Sequence, residues 1–265
     1  MPLDLSRSVA VITGGGSGIG RATARSLAQR GARVVITDLD EDRALKAAGE
    51  IGDAALGARC DVTSVDDLVA ARDLAVARFG RVDIMMNNVG VLAVGRPEDI
   101  PLDAWQRVID INLMSVVRSL GVFLPGLLAQ GSGHIVNTAS TAGLFPYGYD
   151  RLPYTTSKHA VVGLSESLAI YLRPKGIGVS CFCPAGVMTN ITEQISFYGD
   201  QHDAAPGSRA PIAPSFGIIE AETAGELVAE GVAEGKFLIL TSDDVAAEFR
   251  EFGNDVDAYL NRAGV

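Results

Sequence analysis

Short β-rich runs alternate with helix-length segments along almost the whole chain, and this alternation limits the fold more than any single motif does. Residues 9–12, 33–37, 54–59, 82–86, 134–139, 178–183 and 237–240 read as strands. The stretches between them, including 66–79, 102–129 and 154–172, carry helical patterns. Strands joined by helical crossovers lie parallel, and a parallel sheet needs cover on both faces. Runs such as Val34-Val35-Ile36 are apolar at every position, as doubly buried strands must be. The expectation is a doubly wound α/β fold, mainly a seven-stranded parallel sheet with helices on both faces. No linker, repeat or low-complexity stretch divides residues 1–265, which read as one domain. Residues 190–214, with Pro206, Pro211 and Pro214, form the one irregular region and are expected to be a lid over the site.

The first strand runs into Gly14-Gly-Gly-Ser17-Gly18-Ile19-Gly20, which opens a helix. Glycines let a backbone turn tightly beside a pyrophosphate, and a helix N-terminus attracts one through its free N–H groups. No Gly-Lys-Ser/Thr follows, which argues against a nucleoside-triphosphate loop. Asp38 ends the second strand, eighteen residues past Gly20, where a carboxylate can accept both hydroxyls of an adenosine ribose. Asp61 and Val62 end the third strand and can face an adenine. Asn88-Val89-Gly90 ends the fourth, with a glycine where the chain passes close to a ligand. Any one of these is an ordinary strand-end turn. Together, on one sheet edge, they point to a dinucleotide.

Tyr154 and Lys158 stack on one face of a helix, and an ammonium beside a phenol favours phenolate. The expectation is a phenol with a lowered pKa, usable in proton transfer near neutral pH. Tyr171 and Lys175 repeat the spacing, and Ser157 precedes Tyr171 as Ser140 precedes Tyr154. Pro174 should end the helix between Tyr171 and Lys175. Ser157 and Tyr171 would share that helix about 21 Å apart, at ~1.5 Å per residue, and cannot converge. Ser140 instead ends a strand, and residues 141–153 can return Tyr154 to its side.

Thr13-Gly14-x-x-x-Gly18-x-Gly20, Asp61-Val62, Asn87-Asn88-Val89-Gly90, Asn112, Ser140, Tyr154-x-x-x-Lys158 and Pro184-x-x-Val187-x-Thr189 occur in this order. The set resembles the single-domain branch of the short-chain dehydrogenase/reductase family over about residues 5–190. The resemblance implies a Rossmann-type fold and a nicotinamide cofactor. It implies that Tyr154 exchanges a proton with the substrate oxygen while Lys158 lowers its pKa and holds the nicotinamide ribose. Ser140 would hydrogen-bond the substrate oxygen, Asn112 would aid a water relay, and Pro184, Val187 and Thr189 would hold the nicotinamide half. Two positions depart from the usual pattern, Val89 for Ala and Ala185 for Gly. The resemblance also implies a homodimer or homotetramer built through the helices around 102–129 and 154–173.

Asp38, followed by Leu39 rather than a cation, favours NAD over NADP, and Arg43 is the one nearby cation. The reading is an NAD-dependent oxidoreductase interconverting a secondary alcohol and a ketone; the alternatives are an NADPH-dependent ketone reductase and a non-catalytic dinucleotide sensor. Phe145, Tyr147, Tyr149, Ile191, Ile195 and Tyr198 could line an apolar pocket for a largely apolar or cyclic alcohol. A net charge of −10 disfavours nucleic acid and anionic membrane surfaces. The three cysteines form no disulfide framework and fit a reducing cytoplasm. Cys181 and Cys183 suit a strand core better than a metal, so no metal is expected. The opening Met-Pro-Leu-Asp-Leu-Ser-Arg lacks a basic run before an apolar one, so no signal peptide is expected. The most apolar stretch, 120–129, is too short to span a membrane.

Overall fold

The computed structural model describes residues 2–146, 148–199 and 216–262. Its first half is β1 (Val9–Thr13), α1 (Gly18–Gln29), β2 (Arg33–Asp38), α2 (Glu41–Ile51), β3 (Ala55–Arg59), α3 (Val65–Phe79), β4 (Ile84–Asn87) and β5 (Leu92–Val94). There follow α4 (Leu102–Ile109), α5 (Ser115–Gln130), β6 (Gly133–Thr138), α6 (Leu152–Leu172), β7 (Ile177–Cys183), β8 (Ile195–Phe197), α7 (Ala221–Glu234), β9 (Leu238–Leu240), α8 (Asp243–Asn254) and α9 (Val256–Arg262). Seven strands form one parallel sheet in the order β3-β2-β1-β4-β6-β7-β9. The doubly wound expectation holds.

Alternate residues of the central strands enter different cores, which is why their sequence is apolar throughout. Ala10, Ile12, Val34, Ile36, Ile84 and Met86 pack with α1, α2 and α7. Val9, Val11, Val35 and Met85 face Leu68 and Ala71 of α3 and Phe123 of α5. Fully burying a Val or Ile contributes about 1.5–3 kcal/mol relative to exposure, so both faces hold the sheet.

The sequence did not signal a second, two-stranded parallel sheet, in which β5 pairs with β8. It fastens the start of the expected lid to the edge of the site. Residues 190–199 are therefore not a plain loop: Asn190–Gln194 is a 3-10 helix, and β8 follows. The rest of that expected lid, 200–214, lies outside the described residues.

The helical stretch expected over 102–129 is one run, Leu102–Gln130, interrupted by a π-turn at Asp110–Met114. By length and composition alone this run could cross a membrane, unlike the ten-residue stretch read from the sequence. One flank packs into the sheet through Val116, Val122, Phe123 and Leu127, as in a core helix. The other exposes Met114, Val117 and Leu128.

Candidate active site

The strand order reverses between β1 and β4, and the turns after the strand C-termini there open a cleft of about 510 Å³. Gly14, Ser17, Gly18 and Ile19 line one part of it, with Asp38, Asp61 and Val62 beside them and Asn88 and Gly90 following. Tyr154, Lys158, Pro184 and Thr189 line it as well. Thirteen of the sequence-derived candidates thus share one cleft, although they come from six segments of the chain.

At the glycine end, Ser17 makes no side-chain capping bond, so the first-turn N–H groups of α1 stay available at the cleft wall. Gly18 has φ +50, and a Cβ there would sit 3.1 Å from Thr189 Cβ. A side chain would fill the cradle. Asn88 fixes this loop, its Nδ2 donating to the Gly14 carbonyl at 3.1 Å. The Asn88 N–H donates to Thr13 Oγ1 at 3.2 Å, and Thr138 Oγ1 donates to Asn88 Oδ1 at 3.3 Å. Strands β1, β4 and β6 are thereby tied together at the cleft floor. Asp38 Oδ2 accepts the Gly16 N–H at 3.0 Å, which places the carboxylate beside the loop. A helix start rich in free N–H groups and a neighbouring carboxylate could hold a pyrophosphate and a ribose, so the donor set fits a dinucleotide.

At the other end, Lys158 is buried and its Nζ donates to the Thr138 carbonyl at 2.8 Å. It lies 5.6 Å from the Tyr154 ring centroid. Ser140 is close enough to Tyr154 to draw its phenol down, so the loop after β6 does bring these two together. Burial holds the Tyr154 phenol above its ordinary value, and Ser140 offsets this only in part. The expected lowering by Lys158 is thus not found in the chain alone. Burial also pulls the Lys158 ammonium down, to about 8. Desolvation penalises both charged forms, and the ammonium is turned to a backbone carbonyl.

Three candidates stand outside the cleft lining. Ser140 is buried, its Oγ accepting the Ala142 N–H at 3.2 Å. Val187 forms a parallel bridge with Ile219, in which Met188 N–H and Gly186 C=O bond to Ile219. Parallel pairing directs Val187's own N–H and C=O to the opposite side. Asn112 sits in the π-turn, 1 % exposed, with its side chain fully committed. Its Oδ1 accepts the Val91 N–H at 2.8 Å, and its Nδ2 donates to the Val91 carbonyl and to Ser157 Oγ, both at 3.0 Å. The side chain clamps the wall after Gly90 and has no donor left for a water.

The repeated spacing proves unrelated to the cleft. Helix α6 ends at Leu172, Tyr171 is half-exposed, and Lys175 Nζ lies 3.9 Å over its ring. Ser157 instead donates to the Tyr154 carbonyl at 2.7 Å.

Among the expected pocket residues, Phe145 is fully buried against Phe216 and Tyr259 and does not line the cleft. Ile191 lines the cleft, Ile195 lies in β8, and Tyr198 packs near Ile100 and Trp105. Tyr147 lies outside the described residues. Val89, at one of the departures, packs its Cγ2 where a Gly14 side chain would go. The sequence reading missed Arg107, Ile111 and Gln194, which also line the cleft. Their approach depends on the π-turn and on the 3-10 helix after Thr189, neither of which has a local signature.

Residues 8–197 match the family model described as short chain dehydrogenase. The cyclohexanol dehydrogenase of Acinetobacter sp. (strain SE19) is 39 % identical over 191 residues, covering 70 % of this chain and 75 % of the relative. The 3-alpha-(or 20-beta)-hydroxysteroid dehydrogenase of Mycobacterium tuberculosis (strain ATCC 25618 / H37Rv) is 36 % identical over 191 residues, 71 % of this chain and 72 % of the relative. A short-chain dehydrogenase/reductase from Burkholderia phymatum, solved in complex with NAD, superposes with a TM-score of 0.83 at 34 % identity, covering 97 % of this chain and 96 % of that one.

Proposed function

The chain belongs to the short-chain dehydrogenase/reductase family of oxidoreductases, and from that premise we propose that it interconverts a secondary alcohol and a ketone with NAD. The observation that carries this reading is Tyr154, with Lys158 Nζ 5.6 Å from its ring centroid and Ser140 beside it, in the same cleft as a glycine-built helix start and Asp38. Gly14, Ser17, Gly18 and Ile19 would bind the pyrophosphate and Asp38 the adenosine ribose. Asp61 and Val62 would flank the adenine, with Asn88 and Gly90 along the middle. Lys158, Pro184, Val187 and Thr189 would hold the nicotinamide half. The bound nicotinamide supplies hydride acceptance or donation.

The proton chemistry belongs to the protein. Tyr154 Oη gives a proton to the carbonyl oxygen in reduction and takes it from the hydroxyl in oxidation. Ser140, beside that phenol, would hold the same substrate oxygen. Lys158 fixes the geometry from the Thr138 carbonyl and supplies positive charge. Asn112 positions the wall through Val91. Val89, Val91, Ile111 and Ile191 make part of the cleft apolar. This lining, with the names of the two relatives, supports a largely apolar cyclic alcohol. The whole described chain acts as one dinucleotide-binding and catalytic unit, with the segment after Thr189 as its lid. The exposed apolar residues Met114, Val117 and Leu128, with Ile170 and Tyr171 of α6, support assembly into a dimer or tetramer. Light scattering of the purified protein tests that assembly.

A second reading, an NADPH-dependent ketone reductase, is favoured by one observation: Arg43 lines the cleft beside Asp38. Reduced-nicotinamide absorbance with a panel of cyclic secondary alcohols, run in parallel with NAD and NADP, decides between them. NAD-linked oxidation at least tenfold more efficient supports the first reading. Equal or better efficiency with NADP overturns it, and no turnover in either direction overturns both.

A further inference from the structure

The adenosine end of the cleft carries an ion-pair network that none of the roles above uses. Arg43 stands on the first turn of α2, directly beside Asp38. A Cβ built on Gly16 would lie 2.7 Å from Arg43 Cβ and 2.8 Å from Asp38 Oδ2. Its guanidinium is held by two carboxylates. Nε lies 3.2 Å from Asp40 Oδ2, and Nη1 lies 3.0 Å from Glu193 Oε2. Glu193 is itself positioned, because its Oε1 accepts Asn190 Nδ2 at 2.9 Å. Glu193 belongs to the 3-10 helix Asn190–Gln194, which lines the cleft through Asn190, Ile191 and Gln194. The pair therefore joins the ribose end of the cleft to a segment 150 residues away in sequence.

We propose that Glu193 is a cofactor-specificity residue, holding Arg43 in an ion pair that withholds its guanidinium from the 2′-phosphate of NADP. The proposal rests on the NAD reading of Asp38 and extends it. A 2′-phosphate carries roughly −1.5 to −2 charges, so beside Asp38 it needs a free cation to be tolerated. Arg43 is placed to be that cation, but its charge is already matched by Asp40 and Glu193. Rejection then has two sources: the repulsion from Asp38, and the occupation of a cation that could relieve it. Asp40 is a poor handle on the second source, since its Oδ1 also caps α2 by accepting the Arg43 N–H at 3.2 Å. Glu193 is the partner that can be changed without removing a helix cap.

The size of the effect follows from exposure. The two side chains are 42 % and 46 % exposed, so solvent screens the pair and its loss changes affinity by about two- to fivefold rather than by orders of magnitude. The test is calorimetric binding of NAD and of NADP to the parent chain, Glu193→Gln, Arg43→Gln and the double variant. Glutamine keeps an acceptor for Asn190 while removing the charge. Glu193→Gln should tighten NADP about two- to fivefold relative to NAD, and the gain should vanish in the Arg43→Gln background. Arg43→Gln alone should leave NADP binding within about twofold of the parent, because that guanidinium is already engaged. Three results overturn the proposal: no relative gain for NADP, a gain that persists without Arg43, or a loss of NADP binding on Arg43→Gln alone. A parent chain that binds NADP more tightly than NAD overturns the Asp38 reading, yet the comparison between variants still tests Glu193. Failure to bind either dinucleotide overturns both.

Discussion

Replacing Asn112 by alanine should cost the protein stability and loosen the cleft wall together, because one side chain does both jobs. The side chain is buried, and its three hydrogen bonds go to the Val91 N–H, the Val91 carbonyl and Ser157 Oγ. Val91 is buried too, so truncation strands a donor and an acceptor where water cannot replace the lost partner. Each stranded group costs about 1–3 kcal/mol, and the pair together about 2–5 kcal/mol. At about 2–4 °C per kcal/mol for a chain of this size class, thermal unfolding should fall by about 4–20 °C. Ser157→Ala should cost less, about 1 kcal/mol, since Ser157 offers Asn112 only one of its three bonds. The two substitutions share that bond and should combine to less than their sum. Val91 follows Gly90, whose added Cβ would lie 3.4 Å from Lys158 Nζ, so a released wall should also weaken dinucleotide binding. Thermal denaturation followed by circular dichroism, with dinucleotide titration of the same samples, measures both. A midpoint shift under about 2 °C, or strict additivity with Ser157→Ala, would refute the clamp.

Three further outcomes are expected. Tyr154→Phe should keep dinucleotide binding and lose at least about a hundredfold in turnover, whereas the surface substitution Tyr171→Phe should change turnover little; steady-state rates and calorimetry on both variants check this. Phenolate absorbance of the unliganded protein, taken as the difference from Tyr154→Phe, should show no Tyr154 ionisation below about pH 10, because burial raises this phenol; ionisation near pH 8 would contradict that. His134 should make stability acid-sensitive: it is buried in β6, and burial pulls its imidazole down to about 3. The unfolded chain takes up a proton near pH 6.5 that the folded chain refuses, so stability should fall as pH drops from there, by about 1.4 kcal/mol per unit. Denaturant midpoints at pH 7 and pH 5 measure the loss, which His134→Gln should abolish.

The sheet was legible because its strands are local signals, apolar at successive positions and closed by glycine or asparagine turns. Their edges moved by a residue or two for identifiable reasons. The fourth strand begins at Ile84 rather than Val82, because Asp83 uses its own carboxylate to accept the Val9 N–H at 2.9 Å and to pair with Arg81. What stayed hidden was non-local. Strands β5 and β8 are three residues each and exist only as partners, so neither Leu92–Val94 nor Ile195–Phe197 has enough pattern to announce itself. The pocket role expected of Ile195 and Tyr198 failed for the same reason, since β8 pairs with β5 and Tyr198 packs near Ile100 and Trp105. The π-turn that turns Asn112 inward adds a residue to a helix whose apolar pattern looks continuous. Arg43 and Glu193 are unremarkable surface charges until the fold sets them 3.0 Å apart.

The reactive pair shows where adjacency in sequence stops being enough. A Tyr-x-x-x-Lys spacing correctly places an ammonium near a phenol, its Nζ 5.6 Å from the ring centroid, and for unit charges about 5–6 Å apart at an effective dielectric of ~20 the attraction for a phenolate is about 3 kcal/mol. Taken alone, that would lower the phenol by about two pH units. The same fold that creates the contact also removes water from both groups, and the desolvation of two buried charges costs several kcal/mol each. Burial therefore wins: the phenol rises, and the lysine falls to about 8. The order of ionisation is then the reverse of the one the spacing suggests, with Lys158 losing its proton before Tyr154 does. With its ammonium lowered only to about 8, Lys158 still carries its charge at neutral pH and donates to the Thr138 carbonyl at 2.8 Å. Burial keeps the Tyr154 phenol protonated there. Under the proposed function this suits Tyr154 to giving a proton in the reduction direction, and accepting one in oxidation requires bound ligands to offset the desolvation of its phenolate.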